Sequence, residues 1–265
     1  MTAEYTFAKS DLINNHLYIR NDVKPPDQSW SREEFLQQIN LLAYRYHIHH
    51  PLDKFIMDGN ATKELLQSWV ANRYYYQSTI PMKDASVLSN CPDRDVRNAW
   101  FSNIVLQDKE GGGLDDWQTL ANRLEINEED LKSFKHVLPG VKFACDKYLD
   151  FVKRNDYKLG IAACLTITYA NDIHKARLLN WPQHYTWLDN EAYNYFRTRQ
   201  QNAKNEKDVA LEYVLEWFKT PEEQALVLNT IKMKQDILWS ILDNIYLYHF
   251  TNFYDGLELN LINKN

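Results

Sequence analysis

The sequence predicts an all-α protein: one domain built as a bundle of about seven helices. Three observations predict this. Apolar residues recur at three- and four-residue spacing over long stretches, the period of a helix face. The strict apolar/polar alternation of a half-buried strand is essentially absent. Glycine occurs 7 times in 265 residues, so the left-handed turns and bulges that favour it are few. A 45% hydrophobic composition is too apolar for a disordered chain, and the length suffices for a sizeable core.

Taken in order, residues 1–30 are of mixed character and end in the breaker "KPPDQ"; they read as an N-terminal extension lying over the main body. A helical domain follows over 31–250, and 251–265 form a tail. "SREE" at Ser31 is a capping box, with Glu34 three residues after the cap, and "TPEEQ" at Thr220 repeats it with Pro221 in the first helical position. Between them, 62–79 carries Leu65, Leu66, Trp69, Val70, Tyr74 and Tyr76 on one broad face. Further helices are expected at about 93–108, 113–125, 139–155, 157–179 and 190–218. The last, about 221–250, lines up Met233, Ile237, Leu238, Ile241, Leu242 and Ile245. Pro51, Pro81, Pro92, Gly111–Gly113, Pro139–Gly140 and Pro182 are read as the connections.

Several function classes drop out on composition. A formal charge of −6 without a basic run argues against nucleic acid as a partner. Cys91, Cys145 and Cys164 are far apart and form no CxxC, which points to free thiols in a reducing, cytoplasmic setting. The N-terminus lacks the basic region and apolar core of a signal peptide, and no apolar run approaches the ~20 residues of a membrane span.

"YRYHIHHP", 44–51, holds three of the eight histidines and invites a metal reading. Helical di-iron sites use Glu-x-x-His on facing helices. The residues three before His47, His50, His174, His184 and His249 are Tyr44, His47, Asn171, Trp181 and Tyr246, and there is no HExxH. No metal site is therefore assigned, although ligands assembled from distant positions stay open. The glycine triplet fits neither a P-loop nor a dinucleotide turn, and GxSxG is absent. What remains is a set of cations on otherwise apolar helix faces. Arg73 shares a face with Tyr76 and Gln77, His174 with Arg177, and Tyr195 with Arg199 on a stripe that includes Phe196 and Ala203; Lys234 lies beside Leu238 and Ile241. Each alone could reach solvent or pair with a carboxylate. Together they describe a cationic, tyrosine-rich pocket for a small polycarboxylate.

The ordered motifs "YHIHHP", "GNAT…WVANRYYYQSTIPMKDA", "NCPD", "HVLPGVKFA", "IHKARLLNWPQHY", "YFRTR" and "KQDILWSILD" resemble the pyrroloquinoline-quinone synthase (PqqC) family from about Tyr46 to Tyr248. The resemblance implies a heme-oxygenase-like bundle, usually a homodimer. It implies an oxidase without metal or organic cofactor, with O2 as co-substrate, that closes and oxidises a carboxylate-bearing quinoline-type heterocycle and releases peroxide. Carried over by motif, proton transfer and oxygen handling fall on His47, His174, Tyr195 and Arg199. Substrate binding falls on Tyr46, Arg73, Tyr76, Gln77, Lys83, Tyr148, Arg177 and Lys234. Three positions depart from the family: Asn103 stands for an arginine, Gln107 for a catalytic histidine and Ile167 for a glutamate. Glutamine hydrogen-bonds but does not act as an acid or base at neutral pH. A different amino-acid-derived substrate, an iron-dependent relative and a non-catalytic quinone carrier therefore stand as alternatives.

Overall fold

The computed structural model describes residue 19 and residues 22–251; the side chains at 167, 171 and 201–208 are outside that description. Most of the N-terminal extension, the tail from 252 on, the Ile167 side chain and Ala203 thus lie outside the described residues.

Among the described residues there is no strand, and eleven α-helices carry the fold. They are α1 (Arg32–Leu41), α2 (Pro51–Met57), α3 (Lys63–Asn90), α4 (Arg94–Asp108), α5 (Gly113–Arg123), α6 (Glu128–Lys132), α7 (Pro139–Arg154), α8 (Tyr157–Cys164), α9 (Ala170–His184), α10 (Asn194–Trp217) and α11 (Pro221–Phe250). The count exceeds the expected seven because short helices, α1, α2 and α6, add to the long ones and one expected helix is split in two. The continuous helix expected over 157–179 breaks at Leu165–Tyr169 into a 3-10 turn. That turn contains the β-branched sequence run Thr166, Ile167, Thr168, a composition of low helix propensity.

Both capping boxes form: Ser31 with Glu34 and Thr220 with Glu223 each exchange side-chain and backbone hydrogen bonds. "YRYHIHHP" is not a helix but two 3-10 turns, Leu42–Arg45 and His47–His49. His50 then caps α2: its Nδ1 accepts from Leu52 N at 3.0 Å, and Nε2 meets Asp243 at 3.1 Å. His49 points to solvent.

Two proline expectations are corrected. Pro81 and Pro182 lie inside α3 and α9 rather than between helices. Pro182 sits two residues before the end of α9, where a missing N–H costs least cooperativity. Pro81 lies mid-helix and frees the carbonyl four residues earlier, that of Gln77. Gln107 of α4 supplies the missing donor, its Nε2 reaching Gln77 O at 3.3 Å.

The long α3 packs against α4, α5 and α7, while α11 lies along α7 and α8 and α10 along α9. Their shared core is strongly aromatic. Trp69, Trp117 and Trp181 are fully buried, with Trp69 5.5 Å from Trp117 and 5.6 Å from Trp181 between ring centres. Residues 22–30 follow α11: Val23 exchanges two hydrogen bonds with the Asn229 amide, and Trp30 two with that of Gln224.

Candidate active site

The helices line a partly open cavity of about 100 Å³, bounded by α3, α4, α7, α8, α9, α10, α11 and the 3-10 turn that bears His47. All twelve residues assigned from sequence line it: Tyr46, His47, Arg73, Tyr76, Gln77, Lys83, Tyr148, His174, Arg177, Tyr195, Arg199 and Lys234. Asn103 and Gln107, two of the three departures, line it as well.

One wall is a buried ionic chain. His47 Nδ1 hydrogen-bonds Asp53 Oδ2, and Asp53 Oδ1 accepts from Arg177 Nη2 at 3.0 Å. The carboxylate holds the proton on Nδ1 and leaves the lone pair on Nε2, so His47 is oriented as a base. Burial is the largest influence on its pKa and outweighs the attraction of Asp53, lowering it from 6.5 to about 4. Burial pushes Asp53 the other way, but Arg177 and His47 prevail and hold it at about 2. The pair is thus a neutral imidazole on an ionised carboxylate. Arg177 lies 4.8 Å above the Trp69 ring and close to Trp181 and Phe196, which fix its plane.

These shifts carry a pH prediction. Each makes the unfolded chain bind more protons than the folded one, so stability falls as pH falls. The His47 contribution is lost between about 6.5 and 4, and that of Asp53 between about 3.8 and 2. Thermal melts from pH 7 to pH 4 should show a continuous decline that His47→Gln makes shallower.

A second ion pair also lines the cavity. Lys83 contacts Asp84, which also accepts from Trp100 Nε1 at 2.8 Å, and Lys83 Nζ stands 3.1 Å from Cys164 Sγ. Desolvation opposes its charge, but Asp84 and Cys164 more than offset this and keep the ammonium protonated.

Two cations lack such partners. Arg73 is buried with Nε and Nη1 unbonded among the described residues, and its guanidinium lies 4.7 Å from the centre of the Tyr76 ring. Lys234 is 1% exposed; its unbonded Nζ lies 4.4 Å from the centre of the same ring and 3.4 Å from that of Tyr148. Burial drives the Lys234 pKa far down. Unpaired buried cations are costly unless an anion joins them.

The third group surrounds Gln77. Its Oε1 accepts from Tyr195 Oη at 3.0 Å and from Gln107 Nε2 at 3.3 Å, so the amide orientation is fixed from both sides. His174 sits edge-on to Tyr195 with ring centres 5.9 Å apart, and its Nδ1 is unbonded. Burial, reinforced by Arg177, Arg199 and Arg73, holds it neutral. Arg199 is partly buried one turn beyond Tyr195. Gly113 closes over Gln107: a Cβ there would collide with Gln107 Oε1. Gly113→Ala should therefore dislodge Gln107, strand the buried Gln77 carbonyl and cost about 1–3 kcal/mol in chemical denaturation.

Among the described residues no group of three or more His, Cys, Asp or Glu is placed to hold a metal ion. Sequence reading missed Asp53, Asp84, Trp100 and Cys164. Asp53 carries only the ordinary signal of an acidic residue in a first helical turn, and Asp84 only its place beside Lys83 on a buried stretch.

The TENA/THI-4/PQQC family model matches residues 36–244, most of the chain. The protein belongs to this family. Pyrroloquinoline-quinone synthase of Acinetobacter baumannii strain AYE is 41% identical over 228 residues, covering 85% of this chain and 90% of that one. The protein of the same name from Pseudomonas entomophila is 41% identical over 235 residues, 88% of this chain and 92% of that one. Solved structures place this family member in a heme-oxygenase-like fold. A TenA homologue from Pseudomonas syringae superimposes with a TM-score of 0.68 at 13% identity, over 80% of this chain and 91% of its own. A Shewanella denitrificans domain described as heme-oxygenase-like gives 0.67 at 15% identity, over 83% and 93%.

Proposed function

We propose that this family member is an oxidase that needs no metal or organic cofactor and uses O2 to close and oxidise a carboxylate-rich quinoline-type intermediate, yielding pyrroloquinoline quinone and peroxide. The observation that carries the reading is the pair of buried basic side chains without anions, Arg73 and Lys234, in one cavity with two neutral histidines. The 41% identity to synthases of that name over most of the chain supports the same reaction.

In this reading substrate carboxylates satisfy Arg73 and Lys234, with Tyr46, Tyr76, Gln77, Lys83, Tyr148 and Arg177 completing the binding surface. His47, set by Asp53, takes a proton from the substrate. The resulting electron-rich ring reduces O2 itself, so the protein has only to move protons and stabilise charge on the reduced oxygen. His174, Tyr195 and Arg199 form the oxygen-facing side. A homodimer in the cytoplasm goes with this reading; the three cysteines, all free, agree with a reducing compartment, and size-exclusion chromatography checks the dimer.

Gln107 favours a second reading, the same chemistry on another amino-acid-derived substrate. Both of its hydrogen bonds hold Gln77, and it has no proton to transfer. Chelator-treated protein incubated in air with the quinoline precursor separates the cases. Quinone formation supports the synthase. Tight binding without turnover points to a carrier, and absence of binding to a different substrate.

A further inference from the structure

Cys164 differs from the other two cysteines in its exposure and in the groups around its sulfur. Cys145 is fully buried and burial pushes its thiol up to about 12; Cys91 is also buried and raised. Cys164 ends α8 partly exposed in the cavity wall. Its sulfur is 3.1 Å from Lys83 Nζ and 3.5 Å from Tyr148 Oη, while its S–H donates to Gly160 O at 3.3 Å. The unbonded, fully buried Lys234 Nζ lies over the ring of that same Tyr148. The sulfur therefore stands in the cavity wall between the Lys83 ammonium and a phenol, with the unpartnered Lys234 amine behind that phenol, the electropositive, accessible setting that reactive cysteines share.

We propose that Cys164 is an oxidation site for hydrogen peroxide that reaches or arises in the cavity, and that its sulfenic acid is a reversible block on the ligand site. Sγ attacks one peroxide oxygen and the O–O bond breaks. Sulfur is oxidised by two electrons, the peroxide is reduced to water, and the thiol proton leaves with the departing hydroxide. Lys83 stabilises the charge that develops on sulfur and then binds the new oxygen. That oxygen occupies cavity space beside the Lys83 ammonium, on the wall a ligand would contact. A dithiol reductant reverses the change, because sulfenic acid is the reversible step of cysteine oxidation. The functional reading enters here only as one source of peroxide, so the test supplies peroxide directly.

Full-length protein is treated with hydrogen peroxide in the presence of dimedone, and adducts are mapped by peptide mass spectrometry. Cys164 should label at least ten-fold faster than Cys91 and Cys145, with the gain lost after dithiothreitol treatment before dimedone is added. Lys83→Met should slow labelling about ten-fold, and Lys83→Arg should restore most of it. Wild-type labelling that is absent at Cys164, or no faster there than at the two buried cysteines, overturns the proposal. So does an unchanged rate in a Lys83→Met protein whose circular dichroism is native. Because no turnover is involved, these outcomes stand apart from success or failure of the oxidase reading.

Discussion

Asp53→Ala should lower the unfolding free energy by about 3–5 kcal/mol, the cost of breaking a buried ion pair from one side. Asp53 is 2% exposed and serves two partners at once, so its removal strands the Arg177 guanidinium between Trp69, Trp181 and Phe196 and releases the His47 ring. Asp53→Asn isolates the chemical part. The amide keeps the shape but presents either a donor to His47, which moves the imidazole proton to Nε2, or an acceptor without charge. General base catalysis contributes about 10²–10⁴-fold, so turnover should fall within that range even in protein that stays folded. Urea denaturation measures the first effect and steady-state kinetics the second. A fall in turnover no larger than the fall in folded fraction would reduce Asp53 to a structural role.

Lys234→Met should act with opposite signs on stability and binding. Nζ is buried with no partner, so an apolar side chain of similar length removes an uncompensated polar group and should stabilise the free protein by about 1–3 kcal/mol. The same change deletes a ligand contact. Losing one side of a buried charge pair costs about 2–5 kcal/mol, so affinity for a carboxylate ligand should fall about 30- to 3,000-fold. Arg73→Met should follow the same pattern. Calorimetry of unfolding and of ligand binding on one preparation reads both. A variant that is destabilised and still binds would show that these cations serve the fold and not a ligand.

Much of this site was legible because helices convert spacing into position. Arg73, Tyr76 and Gln77, or Tyr195 and Arg199, must share a face once the helix is granted. A cation on a buried face needs an anion, which made the pocket itself predictable. The capping boxes at Ser31 and Thr220 were readable for the same local reason. Partners across helices were not. Asp53 meets Arg177 across 124 residues, and Gln107 meets Gln77 across 30; no local pattern encodes either. The Pro81 misreading has the same origin. A proline normally marks a helix end, and here a side chain from another helix supplies the donor that lets α3 continue. "YRYHIHHP" carries no Glu-x-x-His spacing, and its histidines divide by contacts the sequence hides: His47 on Asp53, His50 capping α2, His49 in solvent.

The most direct test of an oxidase that needs no bound cofactor is a two-stage mixing experiment. Metal-depleted protein is titrated anaerobically with the quinoline precursor, and O2 is then admitted while absorbance and peroxide are followed. The account predicts a saturable spectral change before oxygen, then conversion to the quinone with peroxide released and no metal or flavin added. A complex that stays unchanged under O2, with no peroxide, would contradict it.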